Sequence, residues 1–185
     1  MKKSLFVLGI FIAFIFYTPA SSQEISSFSQ FKSASDLAAY KILALSAIEF
    51  KPIDSNQFQT FEWEWNDIGI TVPSGNPETL TLAAQIHLPD GAVIKRVAAV
   101  YYDNSTPADM DISMAYVTPF DTSEPDMMVF LTSDGLPNAD ALRVLDTKTI
   151  LDPTIDNTNI YVAIVEFDSS TMGDVAFRAL YIAYE

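Results

Sequence analysis

The sequence contains no cysteine, and His87 is its single histidine. The absence of cysteine excludes disulfides, thiolate metal sites and cysteine nucleophiles. Zinc sites use three or four protein ligands, usually His or Cys, so one histidine argues against a zinc centre. Stability must therefore come from apolar burial, or from bound ions or partners.

Basic residues are also scarce. The chain has 10 Lys and Arg against 24 Asp and Glu, which gives a net charge of −14. A surface of this sign repels phosphate backbones and anionic lipids. Nucleic acid is thus not an expected partner, and the acidity is typical of a protein that stays soluble outside the cell.

The N-terminus has the organisation of an export signal. Lys2 and Lys3 precede an apolar run over residues 5–17, which is 13 residues long against the roughly 20 needed to span a bilayer. Ala20 and Ser22 fit the −3 and −1 positions of a signal-peptidase site. Cleavage is predicted directly after Ser22, and a retained membrane anchor is the alternative.

The predicted organisation follows from this cut. Residues 1–22 form the signal peptide, residues 23–35 a flexible Ser-rich arm, and residues 36–185 a single domain. The mature chain of 163 residues is long enough for one well-buried core. We expect a secreted protein, extracellular or periplasmic, with no membrane span after processing.

Side chains alternate between apolar and polar along most of the mature chain. The clearest example is Leu80 to Leu88, which Pro89-Asp90-Gly91 ends and a strand from Val93 then follows back in a hairpin. Ile160–Phe167 and Val175–Tyr184 are almost continuously apolar, which is typical of central strands. The pattern predicts an all-β fold, a β-sandwich or jelly-roll-like domain of nine or ten strands.

One segment departs from this period. Asp36 to Leu45 is rich in Ala and Leu and allows one short N-terminal helix, capped by Ser35 or Asp36. The following segment, Ser46 to Phe50, is predicted as a strand.

Three short motifs resemble a recurrent pattern in secreted bacterial proteins. They are Phe50-Lys51-Pro52-Ile53-Asp54-Ser55, then Leu88-Pro89-Asp90-Gly91-Ala92, then Tyr101-Tyr102-Asp103-Asn104. They correspond to F-x-P-x-x-S, LP-x-GA and YYDN, within roughly residues 46–118. The resemblance is to an uncharacterised family of secreted β-sandwich proteins, and it implies the fold and export but no catalytic residue.

A group of aromatic and acidic residues is the first candidate site. Trp63 and Trp65 lie on one face of a predicted strand, and Glu62 and Glu64 lie on the other. If exposed, the tryptophans can form a flat surface for a sugar ring; if inward, they belong to the core. The two glutamates, about 7 Å apart along the strand, are the pair that a glycoside hydrolase would use.

Calcium is the one metal that the composition leaves open, because it prefers oxygen ligands. Two loops are rich in oxygen donors, and neither matches the Asp-x-Asp-x-Asp-Gly pattern of an EF-hand. The same residue types also build ordinary turns. The candidate ligands are Asp152, Asp156, Asn157 and Asn159 in one loop, and Asp134, Asn138 and Asp140 in the other.

His87 would have to serve any Ser-His-Asp hydrolase. It is predicted on the polar face of its strand, beside Gln85, and the sequence has no Gly-x-Ser-x-Gly nucleophile motif. We therefore expect a surface histidine. Asn104-Ser105-Thr106 matches a glycosylation acceptor, a motif that also arises by chance.

Three functions follow, in order of preference. The first is a secreted non-catalytic surface or extracellular-matrix protein that associates with itself or with another surface protein. The alternative is a carbohydrate-binding module for polysaccharide, with or without calcium. A carboxylate-based hydrolase comes third, and no other cofactor is expected.

Overall fold

The computed structural model describes residues 40–53, 64–66, 69–71, 80–104, 110–120, 124–136, 139–167 and 175–185. For residues 64–66, 71 and 139–140 it describes the backbone alone. The predicted signal peptide, 1–22, and the predicted arm, 23–35, lie outside these residues.

Eleven β-strands and one three-residue 3-10 helix make up the regular structure of the described residues. They are β1 (Lys41–Ser46), η1 (Ala47–Glu49), β2 (Lys51–Pro52), β3 (Glu64–Asn66), β4 (Gly69–Thr71), β5 (Leu80–Ile86), β6 (Ile94–Asp103), β7 (Met110–Val117), β8 (Asp126–Thr132), β9 (Ala139–Thr147), β10 (Ile160–Phe167) and β11 (Val175–Tyr184).

The strands form two antiparallel sheets that face each other. Sheet A has the order β3-β4-β11-β6-β9, and β1 also pairs with β11. Sheet B has the order β2-β5-β10-β7-β8. The predicted β-sandwich is confirmed, and β10 and β11 hold the central positions that their continuous hydrophobicity predicts.

The core lies between the two sheets and is built by the alternation of each strand. In β5, Leu80, Leu82 and Ile86 are buried, while Gln85 between them is exposed. Within this core, the Phe50 and Phe177 rings pack edge to face, with centroids 4.8 Å apart. Burying one such Leu, Ile or Phe side chain stabilises the fold by about 1.5–3 kcal/mol. Apolar burial in this core thus stabilises a chain that has no disulfides.

The prediction for the first described segment is wrong. Lys41–Ser46 is strand β1 rather than helix, and the 3-10 helix occupies Ala47–Glu49, where a strand is predicted. All six residues of β1 pair with β11, so inter-strand bonding and core burial override the helix propensity of Ala and Leu. The backbone N–H of Ser46 donates to the Glu49 carboxylate at 2.7 Å, which stabilises the turn that follows.

The turn at Pro89-Asp90-Gly91 is confirmed, but the hairpin is wrong. Gly91 has φ 73°, the left-handed conformation that glycine adopts without strain. However, β5 belongs to sheet B and β6 to sheet A, so the turn carries the chain from one sheet to the other. β10 and β11 are likewise consecutive in the chain and lie in different sheets.

Within the described ranges, no helix is both long enough and apolar enough to cross a bilayer.

Candidate functional site

A cleft of about 430 Å³ lies where β5 ends and β10 begins. Gln85, Ile86, His87 and Leu88 line one side, and Asn157, Asn159, Ile160 and Tyr161 line the other. Clefts of this volume are typical of small-molecule sites. The cleft therefore joins the single histidine to two of the residues predicted as calcium ligands.

The lining is polar and lacks carboxylate, ammonium and guanidinium groups. None of the eight lining residues is Asp, Glu, Lys or Arg. Gln85, His87 and Asn157 are exposed at the rim, while Ile86 and Tyr161 are buried beneath them. In a chain of net charge −14, this lining stands out because it contains no acidic residue.

The loop that carries Asn157 is anchored to the turn after β5. The Ile155 N–H donates to the Ala92 carbonyl at 2.8 Å, and the Gly91 N–H donates to the Ile155 carbonyl at 2.9 Å. The Asn157 N–H donates to the Asp90 carboxylate at 3.1 Å. These long-range bonds hold the two sides of the cleft at a set separation.

Asp156 organises the loop from within. Its carboxylate accepts from the N–H and the hydroxyl of Thr158, both at 2.8 Å, and these bonds lower the pKa of Asp156. Its own N–H donates to the Tyr161 hydroxyl at 2.8 Å, and its carbonyl accepts from the Asn159 N–H at 2.9 Å. The loop is thus rigid before any ligand arrives.

The side-chain amides retain hydrogen-bonding groups for a ligand. The Asn159 Oδ1 accepts from the Thr118 hydroxyl at 2.9 Å, an assignment that leaves the Asn159 Nδ2 as a donor. Among the described residues, no hydrogen bond engages the side chains of Gln85, His87 or Asn157. Their donors and acceptors are thus available at the cleft.

His87 is exposed and lies beside Gln85, as predicted. The residues that line its cleft include no serine, aspartate or glutamate, so the triad of a serine hydrolase is not assembled there. The partnership of His87 with Asn157 and Asn159 was not predicted, because about 70 residues of sequence separate them. A shared excess of neutral polar residues was the one available signal.

The predicted tryptophan and glutamate group is only partly described. Glu64 and Trp65 lie in β3, opposite Thr71 and Ile70 in register, and their side chains are outside the described part. Glu62 and Trp63 lie wholly outside the described residues. The sugar platform and the carboxylate pair stay predictions.

The carboxylates of two predicted calcium ligands, Asp152 and Asp156, accept hydrogen bonds from different residues. Asp152 has φ 46° and accepts weakly from the Tyr116 hydroxyl at 3.4 Å, whereas Asp156 bonds Thr158. Burial, then the Asp126 and Asp152 carboxylates, raise the pKa of Tyr116. The described residues contain no group of three or more His, Cys, Asp or Glu that could hold a metal ion. Calcium at this loop stays a prediction.

The other oxygen-rich loop is described in part. The Asp134 N–H donates to the Thr132 hydroxyl at 3.1 Å, an ordinary turn contact. Asp140 is the second residue of β9, where only its backbone is described, and Asn138 lies outside the described residues. Asn104 is exposed at the end of β6, while Ser105 and Thr106 of the acceptor motif are also outside.

The fold is similar to that of known carbohydrate-binding modules. A xylan-binding module, CBM15, matches at TM-score 0.48 and 11% identity, over 78% of this chain and 97% of that one. The CBM22-1–GH10 modules of Clostridium thermocellum endo-1,4-β-D-xylanase 10B, solved with xylohexaose, match at TM-score 0.50 and 12% identity, over 79% of this chain and 28% of that one. The CBM22-2 xylan-binding domain of Paenibacillus barcinonensis Xyn10C matches at TM-score 0.42 and 13% identity, over 74% and 89%.

These similarities concern the fold, since identities of this size carry no residue-level correspondence. No protein-family model matches the sequence, and no curated protein matches it either.

Proposed function

We propose that this chain is a non-catalytic carbohydrate-binding domain, and that the cleft between Gln85 and Asn159 is its binding site. The observation that carries the proposal is an amide-rich lining without Asp, Glu, Lys or Arg in a protein that is otherwise strongly acidic. A secreted domain would meet polysaccharide outside the cell, which the predicted signal peptide supports.

The chemistry of the lining matches that of sugar hydroxyls. Each side-chain amide offers both donors and an acceptor, and a hydroxyl group likewise donates and accepts. Gln85, Asn157 and Asn159 place three such amides around one cleft, with the His87 imidazole beside them. An anion would find no cationic partner in this lining, and a cation would find no carboxylate.

The rigidity of the loop supports the same function. Backbone and side-chain bonds hold Asp156 and its neighbours before binding, so little conformational entropy is lost when a ligand is bound. Weak neutral hydrogen bonds then suffice for useful affinity.

The residues of the lining favour carbohydrate binding without hydrolysis. Glycoside hydrolysis needs two carboxyl groups beside the scissile bond, and no carboxylate lines the cleft. The sandwich shared with a xylanase fragment solved with xylohexaose also supports carbohydrate binding over the surface- or matrix-protein hypothesis.

The test is a binding panel with the mature protein. Titration calorimetry with xylan, galactan and a soluble cellulose derivative is expected to detect binding to at least one of them. Polygalacturonate and a sulfated polysaccharide should bind more weakly, because the acidic surface repels them.

Cleft variants then locate the site. Gln85→Ala and Asn157→Ala should each lower the association constant about fivefold, the value of one neutral hydrogen bond. Asn104→Ala, which removes an exposed amide at the end of β6 in the other sheet, is the matched control and should have no effect. Absence of binding to every polysaccharide, or binding indifferent to both cleft variants, would refute the proposal.

A further inference from the structure

The outward face of sheet B continues from the cleft as an apolar surface. Gln85 pairs with Val162, Val162 with Ala115, and Ala115 with Met127, so these four form one row across the sheet. The next row contains Ile164, Ser113 and Phe130. Gln85 and Ile160 belong both to this face and to the cleft lining.

Several apolar side chains on this face are unusually exposed. Ile160 is 41% exposed, and Met127 and Phe130 are each 53% exposed. These three residues and the half-buried Val117, Val162 and Ile164 form an apolar outer strip, and Ala115 is buried between them.

We propose that the outer strip is the second part of the carbohydrate site, so that the ligand is an extended neutral polysaccharide chain rather than a single sugar. This inference rests on the proposed function and deepens it. The cleft binds hydroxyl groups of one unit, and the outer strip packs against the apolar ring faces of the units that follow.

Three features select this occupant. The strip is continuous with the cleft through Ile160 and Gln85, so a chain held in the cleft reaches it directly. The strip carries no charge, and Ser113, paired with Phe130, supplies a hydroxyl among the apolar groups. Beyond it the next row holds Asp111 and Glu166, a pairing that repels acidic ligands.

The distances require a chain. Ile160 and Ile164 are four residues apart, about 13 Å along β10. Phe130 lies two strands from β10, about 10 Å across the sheet. A single sugar ring in the cleft does not reach Phe130, whereas several linked rings do.

The experiment measures affinity against chain length. Titration of the full mature protein with a mono- to hexasaccharide series of the polysaccharide that binds best should show affinity rising with each added unit. Phe130→Ala should weaken hexasaccharide binding about tenfold and leave monosaccharide binding unchanged. Phe130→Trp, which retains an aromatic ring, should restore the length dependence.

Ile48→Ala serves as the control, because Ile48 is 66% exposed but lies on the 3-10 helix between β1 and β2, away from the outer strip. It should leave every affinity unchanged. Equal affinity for short and long ligands, or a length dependence that survives Phe130→Ala, would overturn the inference while the proposed function stands. If no saccharide of any length binds, both fail.

A second copy of the chain is the competing occupant. Sedimentation of the mature protein should show a monomer at binding concentrations. A dimer that Phe130→Ala converts to monomer would overturn the inference, because the strip would then be covered by self-association.

Discussion

Tyr161 links the loop of the cleft to the core, and changing it to phenylalanine isolates that link. The ring is 5% exposed and packs against the Tyr116 ring, with centroids 5.7 Å apart. Its hydroxyl accepts the Asp156 N–H at 2.8 Å. Tyr161→Phe keeps the ring and its packing and removes only this acceptor.

The expected cost is that of one hydrogen bond. No cavity opens, because the hydrocarbon part of the side chain is unchanged. Loss of a neutral bond lowers the free energy of unfolding by about 1 kcal/mol. If that energy holds the loop in its binding conformation, the association constant for the best glycan should fall about fivefold.

Urea denaturation and titration calorimetry measure the two effects separately. Tyr116→Phe is the matched control, because the Tyr116 hydroxyl bonds the carboxylates of Asp152, at 3.4 Å, and Asp126, and makes no hydrogen bond to residues 155–161. It should change stability by less than about 0.5 kcal/mol and leave glycan affinity intact. Wild-type affinity in Tyr161→Phe, at a correct fold and reduced stability, would refute the view that this bond shapes the cleft.

Other predictions follow from particular backbone and carboxylate positions. Gly69→Ala should cost several kcal/mol or prevent folding, because φ is 141° and a Cβ would meet the Phe177 carbonyl. Gly91→Ala, with φ 73° and open space, should cost only about 1 kcal/mol; equal melting temperatures for the two variants would contradict this. The pKa of Asp156 is lowered by bonds from its own turn, so its contribution is present above the ordinary aspartate pKa and is lost as the pH falls through the folded value. Amide hydrogen exchange should show the loop opening in that acidic window, and unchanged protection there would count against it. Calcium at the 152–159 loop predicts a higher melting temperature in millimolar calcium that Asp152→Asn abolishes; no shift would remove that prediction.

Local sequence was sufficient to predict the strands whose side-chain pattern is clearest. The almost continuous apolar runs at Ile160–Phe167 and Val175–Tyr184 match β10 and β11 in both bounds. Alternation over Leu80–Ile86 predicted which side chains of β5 are buried. Side-chain period depends on the backbone of the strand itself, so it can be recognised without knowledge of the neighbours.

Tertiary structure decided where those strands go. Lys41–Ser46 became a strand because β11 offers it a complete pairing partner, which no local propensity reveals. The Pro89–Gly91 turn could have closed a hairpin, but burial of both β5 and β6 inside the sandwich sends them to opposite sheets.

The cleft is the clearest case of the same limit. Gln85 and His87 face Asn157 and Asn159 only because β5 pairs with β10 and the Asp90 carboxylate binds the Asn157 N–H. By itself, the sequence determined most of the strand pattern, the net negative charge and the absence of thiol groups. Which distant polar groups meet was decided by the pairing of strands, since that pairing depends on the burial of the whole core rather than on any one segment.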